Sequence, residues 1–76
     1  MDLERISVDH QIMGGVPCVR GTRIPVATVV GLIAHGYTSE DVLRDYPQLT
    51  EEDVRACLLY AARAVDDREL PVRLTA

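Results

Sequence analysis

Residues 14–26 confine the chain more than any other stretch. They read Gly14-Gly15-Val16-Pro17-Cys18-Val19-Arg20-Gly21-Thr22-Arg23-Ile24-Pro25-Val26, with three glycines, two prolines and two arginines in thirteen positions. Glycine supplies backbone angles that other residues avoid and proline fixes φ, so the run is a shaped segment and not a slack linker. β-prone pieces flank the Gly14-Gly15 pair, Ile6-Ser7-Val8 before it and Cys18-Val19-Arg20 after it. That arrangement predicts a small hairpin with an irregular loop. Arg20 and Arg23 then project from a rigid ribbon, placed to meet an acidic surface or a phosphate.

At 76 residues the chain makes one domain, and a hydrophobic core of this size supplies only ~3–5 kcal/mol. Disulfides, metals or partner subunits commonly add the rest. Cys18 and Cys57 form neither a disulfide framework nor a zinc-binding spacing. Oligomerisation is the favoured stabiliser, and a homodimer without metal or cofactor is the expectation. No charged-then-apolar leader is present, and no apolar run approaches the ~20 residues needed to span a bilayer. A cytoplasmic location with reduced thiols follows as an expectation.

The net charge is −4, and every cation is an arginine. Arginine suits bidentate contact with carboxylate or phosphate, but an all-arginine set is also an ordinary choice of a GC-rich genome. Residues 1–25 balance, so the excess acid lies from residue 26 onward. An acidic chain is a poor stand-alone nucleic-acid binder, because phosphate neutralisation supplies most non-specific affinity.

Three helices follow the hairpin. The first is expected from Pro25, suited to a first helical position, to about His35, with Val26, Val29, Val30 and Ile33 on its apolar face and Gly36 as its stop. Gly31 inside it costs about 1 kcal/mol against alanine, which implies either close packing or a tolerated weakness. A second, short helix starts at Thr38 or Ser39, with Glu40 and Asp41 near its positive end and Pro47 ending it. The third has Thr50 as N-cap, with Leu49 placed to pack on Val54 as a hydrophobic staple. Val54, Cys57, Leu58, Ala61, Ala62 and Val65 form one stripe along it, and Ala56, Leu59, Tyr60 and Arg63 a second. Two stripes exceed what a three-helix monomer needs; a dimer or partner surface accounts for the surplus, and so does coverage by the hairpin.

Beyond Asp66-Asp67, Leu70, Val72 and Leu74 alternate with Pro71, Arg73 and Thr75, which is a strand period. Two readings fit: a frayed tail, or a segment that adds to another chain's sheet or groove. The resulting division is one domain, 1–76, made of a β-hairpin arm (1–25), a three-helix bundle (26–65) and an extended tail (66–76). The fold class is mostly α.

Little here runs a reaction, and no catalytic residue is assigned. His35 lies in the last turn of the first helix, where an imidazolium is mildly favoured, and reads as structural. His10, Asp9 and Cys18 are too few and too scattered for a ligand set. Glu51, Glu52 and Asp53 face the amides and positive dipole of a helix start, which explains them better than a cation site does. Gly14-Gly15 lacks the remainder of a phosphate loop. Helices two and three, joined by Tyr46-Pro47-Gln48-Leu49, outline a helix-turn-helix. Its last helix would present two carboxylates to DNA and only Arg55 as a credible base reader, so the ribbon arginines are the better DNA contacts.

Ile6-Ser7-Val8-Asp9 and residues 15–26, then Asp45-Tyr46-Pro47-Gln48-Leu49-Thr50, Asp53-Val54-Arg55-Ala56 and Tyr60-Ala61-Ala62, are similar in order and spacing to a small bacterial family, domain of unknown function 433. The resemblance covers nearly the whole chain. It implies a homeodomain-like helix-turn-helix fold and a role like that of VapB-like antitoxins, encoded beside a PIN-like ribonuclease toxin. Such antitoxins commonly bind their own operator as dimers and cover the toxin's acidic, metal-dependent site with a C-terminal segment. The strongest carry-over is Arg20-Gly21-Thr22-Arg23, the family's signature; with Arg55, the base reader of the last helix, it gives Arg20, Thr22, Arg23 and Arg55 as the expected DNA contacts. Leu59, Tyr60 and Arg63, with Arg68, Leu70, Val72, Arg73 and Leu74 of the tail, are the expected partner contacts. The leading expectation is an antitoxin-like binding protein that is not an enzyme; a DNA-binding regulator without a toxin is the alternative.

Overall fold

The computed structural model describes residues 3–11 and 13–67. A 3-10 turn, Leu3–Arg5, leads into strand β1 (Ile6–Ser7), and a second such turn, Met13–Gly15, precedes strand β2 (Cys18–Val19). Helices α1 (Val26–Ala34), α2 (Ser39–Asp45) and α3 (Glu51–Asp67) follow. The expected architecture, mostly α with an N-terminal hairpin and three helices, is the one observed.

The strands pair antiparallel, Ile6 opposite Val19 and Ser7 opposite Cys18. The other side of β2 is used as well. Cys18 bridges to Pro25, the Val19 amide donates to the Ile24 carbonyl at 3.0 Å, and the Val26 amide donates to the Pro17 carbonyl at 2.9 Å. This second pairing moves the helix boundary. Pro25 stays extended (φ −66°, ψ 144°) and serves as the N-cap of α1, so it is not the first helical residue.

The helix ends follow from local chemistry. The Gly36 amide donates to Ile33 and the Tyr37 amide to Leu32, a reciprocal closure that satisfies the last carbonyls of α1. α2 begins with a capping box: the Thr38 hydroxyl accepts from the Asp41 amide while the Asp41 carboxylate accepts from the Thr38 amide. α3 repeats the device, with Thr50 accepting from Asp53 at 3.3 Å and Asp53 accepting from Thr50 at 2.9 Å. α3 runs two residues past its expected end, since neither Gly nor Pro interrupts it before Pro71.

The core draws on both strands and all three helices. Ile6 and Val19 of the hairpin, Ile24, Val26 and Val29, Val42 of α2, Leu49, and Val54, Ala56 and Cys57 of α3 are all buried together. Leu49 and Val54 share this cluster, as the staple requires. The longer apolar stripe expected along α3 is not buried throughout. Leu58 and Val65 stand 37% and 57% exposed, because among the described residues the other elements cover chiefly the inward side of the first half of the helix.

Asp53 carries the connection between arm and bundle. Its Oδ2 closes the α3 capping box, and its Oδ1 accepts from Arg5 Nη1 at 3.1 Å across 48 positions of sequence. Removing a cap typically costs about 1 kcal/mol, and loss of a charge-assisted hydrogen bond about 1.5–3. Asp53→Ala is therefore expected to lower unfolding free energy by about 2–3 kcal/mol. Asp53→Asn, which keeps an acceptor for the Thr50 amide, should lose roughly half as much. Urea titration of both variants measures the difference.

Candidate functional site

The segment Arg20-Gly21-Thr22-Arg23 forms a tight turn. The Thr22 amide donates to the Val19 carbonyl at 2.9 Å, and Gly21 sits at φ +80°, where a side chain would strain the backbone. Thr22 is occupied inside the turn: its hydroxyl donates to Val19 O at 2.8 Å and accepts from the Ile24 amide at 3.0 Å. Arg20 reaches back to the arm. Its Nε donates to the Glu4 carbonyl, its Nη2 to the Ile6 carbonyl at 3.3 Å, and its amide to the Arg5 carbonyl. Two of the four residues expected to contact DNA, Arg20 and Thr22, thus have intramolecular tasks that the sequence did not reveal. Arg23 is exposed and makes no hydrogen bond or ion pair with the described residues. Within the signature it is the side chain left to face a partner.

Arg5, Arg20, Glu4 and Asp53 line one cleft of about 600 Å³. Its cations are engaged, Arg5 by Asp53 and Arg20 by backbone carbonyls, so the cleft works as a latch between arm and helix.

α3 separates the remaining candidates. Arg55, Leu58, Leu59 and Ala62 follow i, i+3, i+4, i+7 spacing and lie on its outer side, with Arg63 one turn beyond Leu59. Arg55, Leu58, Ala62 and Arg63 are exposed and Leu59 is half-buried. Tyr60 belongs elsewhere: with Ala61, Ala64 and Val65 it lines an apolar cleft of about 440 Å³ shared with Val26, Ala27, Val30 and Gly31 of α1 and with Val16 and Pro17. The expected partner set Leu59, Tyr60 and Arg63 is therefore not one surface. Arg68, Leu70, Val72, Arg73 and Leu74 lie outside the described residues.

Electrostatics distinguishes the two ends of α3. Glu51, Glu52 and Asp53 fill its first turn. The helix-start amide and the Thr50 hydroxyl hold Glu52 below the usual carboxylate range, with Arg5 and Arg55 contributing. In α2, hydrogen bonds from the Thr38 amide and hydroxyl lower Asp41 in the same way. Burial, reinforced by the Asp53 charge, pushes the Cys57 thiol up to about 11. His35 Nδ1 lies 2.7 Å from the Gly31 carbonyl, in keeping with a structural role. Among the described residues no cluster of His, Cys, Asp and Glu could hold a metal ion. No helix among them is long and apolar enough to cross a membrane.

The family model for proteins of unknown function, DUF433, matches residues 6–61. The chain belongs to the DUF433 family. The match takes in the hairpin, the signature turn and α3 as far as Ala61. The uncharacterized protein y4eO of Sinorhizobium fredii (strain NBRC 101917 / NGR234) is 40% identical over 58 residues, which span 76% of this chain and 26% of y4eO. The crystal structure of a DUF433 member from Anabaena variabilis ATCC 29413 superposes with a TM-score of 0.76 at 33% identity, over 83% of this chain and 62% of that one. The chain thus corresponds to about a quarter of y4eO and under two thirds of the Anabaena protein.

A raised thiol pKa keeps Cys57 protonated in the folded state, and Cys18 is buried too, with its Sγ donating to the Val16 carbonyl. In native buffer at pH 8 neither thiol should react with Ellman's reagent on the timescale at which the urea-unfolded chain reacts fully. The stabilisation from keeping Cys57 neutral is complete below its unfolded value of 9.0 and is lost as pH climbs toward about 11. Urea midpoints should accordingly fall over that window, and less so in Cys57→Ala relative to its own midpoint at pH 8.

Proposed function

We propose that this DUF433 chain is an antitoxin-like binding protein, not an enzyme, that acts in the cytoplasm as a homodimer and neutralises a PIN-like ribonuclease. The ribonuclease comes from the family resemblance. The observation that supports a protein partner is the outer face of α3, where Leu58 and Leu59 form an apolar strip between Arg55 and Arg63. An apolar centre with arginine at its edge suits docking onto an acidic protein surface. The acidic first turn of the same helix disfavours the major groove of DNA, where Glu51 and Glu52 would approach phosphates. Residues 68–76 supply the further partner contacts this reading calls for.

Arg23 favours a second reading, a DNA-binding regulator without a toxin. It is an exposed guanidinium on a rigid turn, and a homodimer would bring two copies together. On this reading Arg23→Ala weakens operator binding and reduces the salt slope by about one unit per protomer.

Coexpression with a PIN-like ribonuclease encoded beside the gene separates the two. The expected result is a stoichiometric complex and restored growth. Leu58→Asp combined with Arg55→Glu, both exposed on this face, should weaken the complex by at least ~30-fold, the size of an interface hot spot, while the urea midpoint moves little. Specific DNA retained with no stoichiometric protein companion would transfer the assignment to the regulator.

A further inference from the structure

The apolar cleft between α1 and α3 carries both a knob and a hollow. Val65, the most exposed large apolar residue among the described ones, stands 57% open on the α3 wall. On the α1 wall, Gly31 leaves open space where a Cβ would be. A surface that holds a knob and a hollow is complementary to itself, which is what a two-fold contact between identical chains requires. No charged residue is among the described ones that line the cleft, so a charged ligand would lose its hydration there without gaining a counter-charge.

Opposite charges flank this cleft. Asp66 follows Val65 directly, and its exposed carboxylate makes no hydrogen bond or ion pair with the described residues. It lies in the last turn of α3, where the helix dipole disfavours a carboxylate, so the described fold gives it no task. Arg23 is likewise exposed and without a partner among the described residues. It sits in the turn three residues ahead of Val26, where α1 enters the cleft wall.

We propose that a second copy of the chain docks on this cleft through the same face, with the Val65 of each copy seated over the Gly31 of the other. Asp66 of each chain then meets the Arg23 of its partner. The rise from Gly31 back to Val26 is only ~8 Å, a span that an arginine reaching from the turn ahead of α1 can cover. One two-fold axis forms both pairs at once and sets them at the polar rim of an apolar centre. The exposed guanidinium of the signature turn thus faces a carboxylate of the second copy. This seam rests on the homodimer of the proposed function and on no particular ribonuclease.

Sedimentation equilibrium of the full chain tests it. The wild-type chain should dimerise reversibly, and Val65→Asp should weaken the dimer by at least ~30-fold. Val65 is exposed, so that variant should keep its fold, seen as unshifted Val42 and Val54 amides. Gly31→Leu meets no neighbouring atom at its Cβ and should block the seam from the other wall. Arg23→Asp and Asp66→Arg should each weaken the dimer roughly tenfold, since each turns two attractive rim pairs into repulsive ones. Mixed in equal amounts, these two variants should regain the wild-type affinity, because each supplies the charge that the other has reversed. A task for either residue within its own chain would not be rescued by mixing. A dimer unmoved by Val65→Asp, or variants that mixing fails to restore, would overturn the seam and leave the homodimer standing. A wild-type chain that sediments as a monomer would overturn both, while ribonuclease binding is read separately by coexpression.

Discussion

The fold depends on a carboxylate that performs two tasks at once. Asp53 closes the N-terminus of α3 with Thr50 and takes the Arg5 guanidinium from the arm, while its own side chain is 12% exposed. A two-residue strand pair is too short to hold its place by its own ladder. The arm is instead fixed by the burial of Ile6 and Val19, by Arg5 on Asp53, and by Arg20 on the Glu4 and Ile6 carbonyls. The first two connect the hairpin to α3, and the third connects its two strands to each other. The shaped segment after Gly14 can therefore be short and irregular yet deliver α1 in a fixed direction.

That arrangement changes what the signature turn means. Each of its first three residues has a task within the fold: Arg20 ties the arm, Gly21 supplies the positive φ, and Thr22 bridges Val19 to Ile24. A motif that identifies a family can thus record how its members fold as readily as what they bind. Arg23 is the exception, and any binding role for the signature falls chiefly on it.

Much of the fold was legible because its determinants are local. Thr38 with Asp41 and Thr50 with Asp53 mark helix starts within four residues, and Gly36 marks an end, so the helices are found to within two residues. The Pro25 boundary was misplaced by one position because the bridge to Cys18 comes from pairing with another segment. Arg5 on Asp53 left no local signal, since its members lie 48 positions apart and salt-bridge partners have no periodicity. The internal use of Arg20 and Thr22 was hidden for a similar reason: an arginine in a glycine-rich turn looks like a contact until the carbonyls opposite it are known. On α3, periodicity identified the apolar positions but not which of them other elements cover. Periodicity groups Tyr60 with Leu59, whereas the helix turns one toward α1 and the other outward.

The length of α3 brings these points together. At 17 residues it is nearly twice as long as α1, with nine. A small domain has little core to spare, and apolar surface left in water forfeits roughly 25 cal/mol per Å². The first half of α3 is held by the arm, α1 and α2; among the described residues the second half meets α1 on one flank and leaves a cleft there. Small residues line both sides of that cleft, Ala27 and Gly31 on one helix and Ala61 and Ala64 on the other. They keep it open, where larger side chains on the same helices would fill it from within. Gly31→Ala measures what that openness costs. With space for the added methyl and a gain in helix propensity of about 1 kcal/mol, the substitution should raise the urea midpoint of the chain. A substantially smaller gain, or a loss, would mean that something already occupies the space above Gly31.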